Sequence, residues 1–182
     1  MKKILLLSAP LFLFVFPVFS QEESKQDDLS DYGKKLSIGI SILDGFGIPV
    51  RYYAKNHVME AGAYVAGVAV YENNNLIDYR TWPMFGAGYT YFGDRFLKEK
   101  RKRDKIRAHG IAVRVNQLVG SYPTTIPSLS WAMETFREGR KNRSFLFELG
   151  IQYALPNFTY NNEPVPNAVG LRLRCQWNFF LK

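Results

Sequence analysis

AVGLRLRCQWNFF, residues 168–180, alternates from one end to the other. Val169, Leu171, Leu173, Cys175, Trp177 and Phe179 are apolar, and Gly170, Arg172, Arg174, Gln176 and Asn178 stand between them. A strand sends successive side chains to opposite faces, so this segment carries one apolar and one polar face. Two arginines on one face require paired or hydrated surroundings, because an isolated buried charge is very costly. An apolar face ending in Trp and Phe, backed by a charged face, fits a wall strand of a transmembrane β-barrel, with lipid on one side and the lumen on the other.

The pattern repeats upstream. Leu36–Leu43, Ile48–Ala54, His57–Tyr71, Arg80–Phe92, Ile106–Gly120, Ile126–Phe136 and Arg143–Leu155 read as seven further strands. Turn-forming or charged stretches separate them: 44–47, 55–56, 72–79, 93–105, 121–125, 137–142 and 156–166. Residues 95–107 are the one helical candidate, but their charges fall all round a helical wheel and leave no face to bury. The expected fold is all-β, an eight-stranded antiparallel up-and-down transmembrane β-barrel over residues 35–182.

Residues 1–20 read as a secretory signal peptide. Lys2 and Lys3 precede an apolar run, Ile4–Phe19, that is broken by Pro10 and Pro17, and Ser20 ends it. Residues 21–34, QEESKQDDLSDYGK, have little to bury and read as a flexible polar leader. Past the leader no apolar run reaches the 18 or more residues of a membrane helix, so a membrane-spanning form has to be a closed barrel. Without residues 1–20 the formal charge falls from +8 to +6, the difference being Lys2 and Lys3. A single cysteine, Cys175, excludes an internal disulfide framework.

With this signal peptide, these eight alternating strands, tyrosine-rich strand ends and an aromatic last strand, residues 35–180 resemble small bacterial outer-membrane β-barrel proteins of the OmpA/OmpX-type, porin-like kind. In that family the chain often ends on an aromatic residue read by the barrel-assembly machinery; here Leu181 and Lys182 follow Phe180. The resemblance implies a Gram-negative cell envelope, both termini in the periplasm, and outer-membrane lipid and the assembly machinery as partners. Under that orientation the connections 44–47, 72–79, 121–125 and 155–166 lie outside the cell with a net charge of −4. The connections 55–56, 93–105 and 137–142 lie inside with +7.

The aromatics Tyr52, Tyr53, Tyr71, Trp82, Tyr89, Tyr91, Tyr122, Phe136, Phe145, Tyr153, Trp177 and Phe179 fall towards strand ends, as interfacial girdles do. The opposite face repeatedly carries Glu60, Arg114, Asn116, Glu134, Glu148, Gln152, Arg172 and Arg174. A structural lumen charge network of Glu148, Arg172, Arg174, Arg114 and Glu134 is expected. Counting from the turns sets Glu148 opposite Arg174 and Arg114 diagonal to Glu134. Ser130, on the same face, is expected to accept Asn.

The basic connection Lys98, Lys100, Arg101, Lys102, Arg103 and Lys105 reads as a solvated turn that could reach the cell wall. A signal peptide and the lack of an aromatic stacking platform argue against nucleic acid. His57 and His109 fall at the periplasmic ends of their strands, whereas Ser128 and Ser130 lie towards the other end, so base and nucleophile are not brought together. No cofactor, no metal and no enzymatic activity are expected. The functional expectation is a structural, envelope-integrity or surface-contact role. The alternatives are a narrow porin-like channel, a lipid-modifying outer-membrane barrel enzyme, or a soluble secreted lipocalin-like ligand-binding barrel.

Overall fold

A computed structural model describes residues 35–72, 75–98, 105–137, 142–160 and 162–181. The expected signal peptide, the leader, and Lys100, Arg101, Lys102 and Arg103 of the basic connection lie outside the described residues. The strands are β1 (Leu36–Ile42), β2 (Phe46–Ala54), β3 (His57–Glu72), β4 (Asn75–Lys98), β5 (Lys105–Leu118), β6 (Thr124–Arg137), β7 (Arg143–Pro156) and β10 (Ala168–Phe180). A two-residue hairpin, β8 (Thr159–Tyr160) with β9 (Glu163–Pro164), sits in the last connection.

β1 to β7 and β10 close into one antiparallel barrel in which each strand pairs with its sequence neighbours and β1 closes on β10. Closure removes every sheet edge over the paired region. The stagger follows from the register. A path of paired residues through Gly170, Gln152, Ser128, Arg114, Gly88, Glu60, Arg51, Ser37 and Phe180 circles the wall and returns to β10 ten residues beyond its start, from 170 to 180. Such a shear obliges the strands to tilt and sets the width of the lumen.

Several boundaries differ from the sequence expectation; the β1–β2 turn, expected at 44–47, is 43–45, since β2 starts at Phe46. Residues 72 and 75–79 are strand, because β3 and β4 continue as a ladder to Glu72–Asn75 through a register shift at Val70/Tyr71. Residues 93–98 and Lys105 are also strand: β4 and β5 pair as far as Lys98–Lys105, with an irregularity between Phe92 and Asp94. Lys98 and Lys105 therefore end a ladder instead of standing in a long loop. The β5–β6 turn lies at 119–123, two residues earlier than expected, since Leu118 pairs with Thr124.

Side chains sort by parity. Outward positions include Ile38, Ile40, Ile48, Val50, Met59, Phe85, Ile111, Val113, Leu129, Trp131, Leu149, Ile151, Leu171 and Leu173, all exposed. The lumen is filled. At the end where β1 starts and β10 finishes, Tyr53, Val58, Phe92, Ile106, Phe136, Leu146 and Phe180 form an apolar stopper, with Phe180 packed on Tyr53 at 5.1 Å and on Phe136 at 6.2 Å. Tyr53 and Phe136, and Trp82 at the other end, thus leave the expected girdle and point inward. Near the opposite, distal end Tyr64, Met84 and Leu118 form a second apolar group against Ala66 and Trp82.

Candidate functional site

Between the two apolar groups lies a buried ion cluster, built from the inward positions of six strands and one turn. β2 alternates Phe46, Ile48, Val50 and Tyr52 outward against Gly47, Pro49, Arg51 and Tyr53 inward. β3 contributes Glu60 and Tyr64, β5 Arg114, β6 Glu134, β7 Glu148, and β10 Arg172 and Arg174, all buried. Asp44 reaches in from the turn between β1 and β2.

Glu60 is the hub. Its carboxylate lies 2.8 Å from Arg114 Nη1, 2.6 Å from Arg174 Nη2 and 3.3 Å from Arg51 Nε, and it accepts a 3.0 Å hydrogen bond from the Tyr64 hydroxyl. Arg114 also grips Glu148 with a fork, through Nε at 2.9 Å and through Nη2. Bidentate charge-assisted pairs of this kind are the strongest polar contacts available to a side chain. Arg51 links the hub to a second acid, Glu134, through Nη1 at 2.9 Å. Glu134 further accepts from Tyr53 at 2.8 Å, from Asn178 at 3.1 Å and from Ser144. At the distal side Arg172 Nη1 donates to Ser128 at 2.9 Å, and its Nη2 meets the Asp44 carboxylate.

Arg174 and Glu148 are paired in register, as expected. Their closest approach is only 3.8 Å, and Arg172 stands 3.9 Å from Glu148. Arg114 is not diagonal to Glu134: it pairs with Ser128, and Glu134 lies opposite Ala108, six residues down β5. The two-residue displacement of the turn shifts every β5–β6 pair by four. Glu134 joins the cluster through Arg51 instead. Glu60, Arg51, Tyr53, Tyr64 and Asp44 were not in the expected network, although Glu60 was placed on its face. Alternation in residues 46–54 was the signal for Arg51 and Tyr53, whereas Asp44 carried none beyond its place in a turn.

The cluster is electroneutral among the described residues: Arg51, Arg114, Arg172 and Arg174 face Glu60, Glu134, Glu148 and Asp44. Neutrality matters because desolvating a charge is repaid only when partners and hydrogen bonds are complete. Burial pushes the Asp44 carboxyl above its usual range, and the guanidiniums of Arg172 and Arg174 offset part of that.

Glycines make the room. A Cβ at Gly88 would fall 2.4 Å from Arg114 Nη1 and 2.7 Å from its Cγ. Gly88→Ala should therefore destabilise the barrel by about 1–3 kcal/mol through overpacking. Ala87→Val, one residue away on the outer face, should stay within about 0.5 kcal/mol. Urea unfolding of both variants in detergent micelles checks the pair, and equal losses would contradict the packing. Gly150 makes room in the same way for its register partner Ser130, which is buried on the lumen side as expected: a Cβ on Gly150 would sit 2.5 Å from the Ser130 hydroxyl.

The histidines lie on the other side of the wall. His57 Nδ1 and the Tyr89 hydroxyl are 2.6 Å apart outside the barrel, and His109 stacks on Trp131 at 5.4 Å. Ser128 points inward to Arg172. Cys175 occupies an outward position on β10. Compared with known proteins, the chain matches no protein-family model, no curated protein and no solved structure.

Proposed function

We propose that the chain is an integral outer-membrane β-barrel with a structural, envelope-integrity or surface-contact role and no catalysis of its own. The observation that carries this reading is the outer face. On all eight strands the described outward side chains are uncharged and mostly apolar, save His57, Arg107, His109 and Arg143 near the end where β1 starts and β10 finishes. A barrel kept in water would expose apolar surface around its whole girth, far beyond the few hundred Å² that soluble monomers show. In a bilayer that surface is the lipid-facing band.

Outward aromatics support the same reading. His57 packs on Tyr91 at 5.3 Å and Phe145 on Trp177 at 5.3 Å, which gives one rim a girdle. Outward parity at the end of β10 runs Trp177, Phe179, Leu181, so Leu181 continues the apolar series that would face the assembly machinery. Partners in this reading are outer-membrane lipid, that machinery, and the cell wall through the basic connection that Lys98 and Lys105 frame.

Expressed with its own N-terminal segment in a Gram-negative host, the protein should appear in the outer-membrane fraction. It should need detergent for extraction and migrate faster unheated than boiled. Recovery from the soluble periplasm without detergent would overturn the proposal. A porin-like function is disfavoured by the filled lumen, because side chains occupy an eight-stranded interior. Planar bilayers containing the purified barrel should show no stepwise current. Regular unitary openings would contradict a lumen stoppered by Phe180 and occupied by the ion cluster.

A further inference from the structure

One member of the cluster differs from the rest. Seven of the eight charges are fixed by strands locked in the barrel wall. Asp44 comes from the three-residue turn 43–45 and keeps a side chain 14% exposed, against 1% for its partner Arg172. The turn lies over the distal mouth: a Cβ at Gly45 would lie 3.3 Å from both Met84 Cε and the Val65 carbonyl oxygen. Its backbone is left-handed at Leu43, φ 78°, a costly shape for a leucine, and Gly45 follows at φ 114° without that cost; the Leu43 side chain faces out. A non-glycine residue in the left-handed region stores strain that opening would release.

Beneath the turn, guanidinium N–H groups are left without acceptors. Arg172 Nε and Arg174 Nη1 are buried without a hydrogen-bond partner, as is the Ser130 hydroxyl, which shares a register row with Arg172 through Gly150. Asp44 holds Arg172 through Nη2 and Glu60 holds Arg174 through Nη2 at 2.6 Å, while Glu148, within ion-pair range of both, stands 3.8–3.9 Å away, beyond hydrogen-bond reach. Its oxygens are engaged by Arg114.

We propose that the distal mouth is a binding site for a carboxylate-bearing ligand, with Asp44 as a tethered stand-in that occupies the site until the ligand displaces it. The Arg172 guanidinium, with Ser128 and Ser130 beside it, supplies the donors. Charge selects the class. Lifting Asp44 away leaves the lumen one positive charge in excess, which a singly charged carboxylate restores, whereas a phosphate dianion would overshoot into a desolvated site. The groups around Asp44 are Arg172 and Arg174 from β10, Arg114 from β5 and Glu148 from β7. Burial raises its proton affinity, which disfavours the ionised latch inside the mouth. The inference rests on the lumen alone and stands apart from the membrane reading.

Acetate is the probe, with chloride and phosphate at matched ionic strength as comparators, on the full-length barrel folded in micelles. Asp44→Ala should unfold at a lower temperature than the wild type, and acetate should restore the midpoint saturably. Chloride should not restore it, and phosphate should fall short of acetate. The wild type should need at least about tenfold more acetate for any response, because its own carboxylate competes at high effective concentration. Asp44→Ala combined with Arg172→Gln should not respond. Equal rescue of both variants, or none in Asp44→Ala, would overturn the site, and phosphate matching acetate would overturn the carboxylate assignment. Should Asp44→Ala not fold, the Arg172 Nε–H resonance of the wild type decides. Saturable movement under acetate supports the site, and an unmoved signal refutes it.

Discussion

Glu60→Gln should destabilise the barrel by about 3–5 kcal/mol, the range for removing one partner from a buried ion pair. Three guanidiniums lose their shared acid at once: Arg51, Arg114 and Arg174 all lie within 3.3 Å of the Glu60 carboxylate. An amide would also turn an NH2 group towards donors that accept nothing, and the Tyr64 hydroxyl would compete for the remaining oxygen. Adding Arg174→Gln should recover part of the loss, since one stranded charge goes with it. Adding Arg172→Gln should recover little, because Arg172 is held by Asp44 and Ser128 instead. Double-mutant cycles from urea unfolding in micelles give both coupling energies. A loss below about 1 kcal/mol for Glu60→Gln would mean that the cluster behaves like a hydrated surface pair, and the packed lumen described above would be wrong.

The contrast between Glu60 and Glu148 shows what the sequence could and could not supply. Period-two alternation assigns each residue to a face, and it did so for Arg172, Arg174, Arg114, Glu134 and Glu148, each of which is buried inside. Alternation together with turn positions also gives neighbours along the wall, which is how Glu148 comes to lie opposite Arg174. It does not give contacts across the lumen. In a narrow barrel the far wall is as near as the adjoining strand, so Arg174 on β10 reaches Glu60 on β3 at 2.6 Å while standing 3.8 Å from its register neighbour. Such contacts depend on the shear, and the shear sums the register errors of eight strand pairs.

Turn placement was the weak link. Gly120, at φ 138°, and Pro123 put the β5–β6 turn at 119–123, and the β-branched Thr124 and Thr125 belong to the strand. Reading the turn at 121–125 displaced Arg114 relative to Glu134. Loop composition misled in the same way at 72–79, where asparagines suggested a loop and the ladder runs to Glu72–Asn75. Asp44 was legible as a charge in a turn. Its descent into the lumen follows from a backbone turned over the mouth, which no local pattern encodes.

The second large effect is on the outer face, within the same three residues of β10. Arg172 and Arg174 are buried inside the barrel, and Leu173 between them is 42% exposed and paired with Leu149 outside. Leu173→Arg changes neither strand propensity nor residue type relative to its neighbours, only the face that carries the charge. In a bilayer the cost should be about 2–4 kcal/mol if Leu173 sits near the midplane, falling towards zero at the interfaces. Its register row supports a central place: Leu149, Trp131 and Ile111 extend it across three strands with no charged residue. Folding from urea into lipid vesicles should therefore give less heat-modifiable barrel and a lower unfolding midpoint for Leu173→Arg, while Leu173→Phe should match the parent. A barrel made for water would respond in the opposite sense, since an arginine replacing an exposed leucine there improves solubility and leaves stability nearly unchanged. Wild-type folding of Leu173→Arg in lipid would thus remove the main physical support for the membrane reading, while leaving the closed barrel and its ion cluster intact.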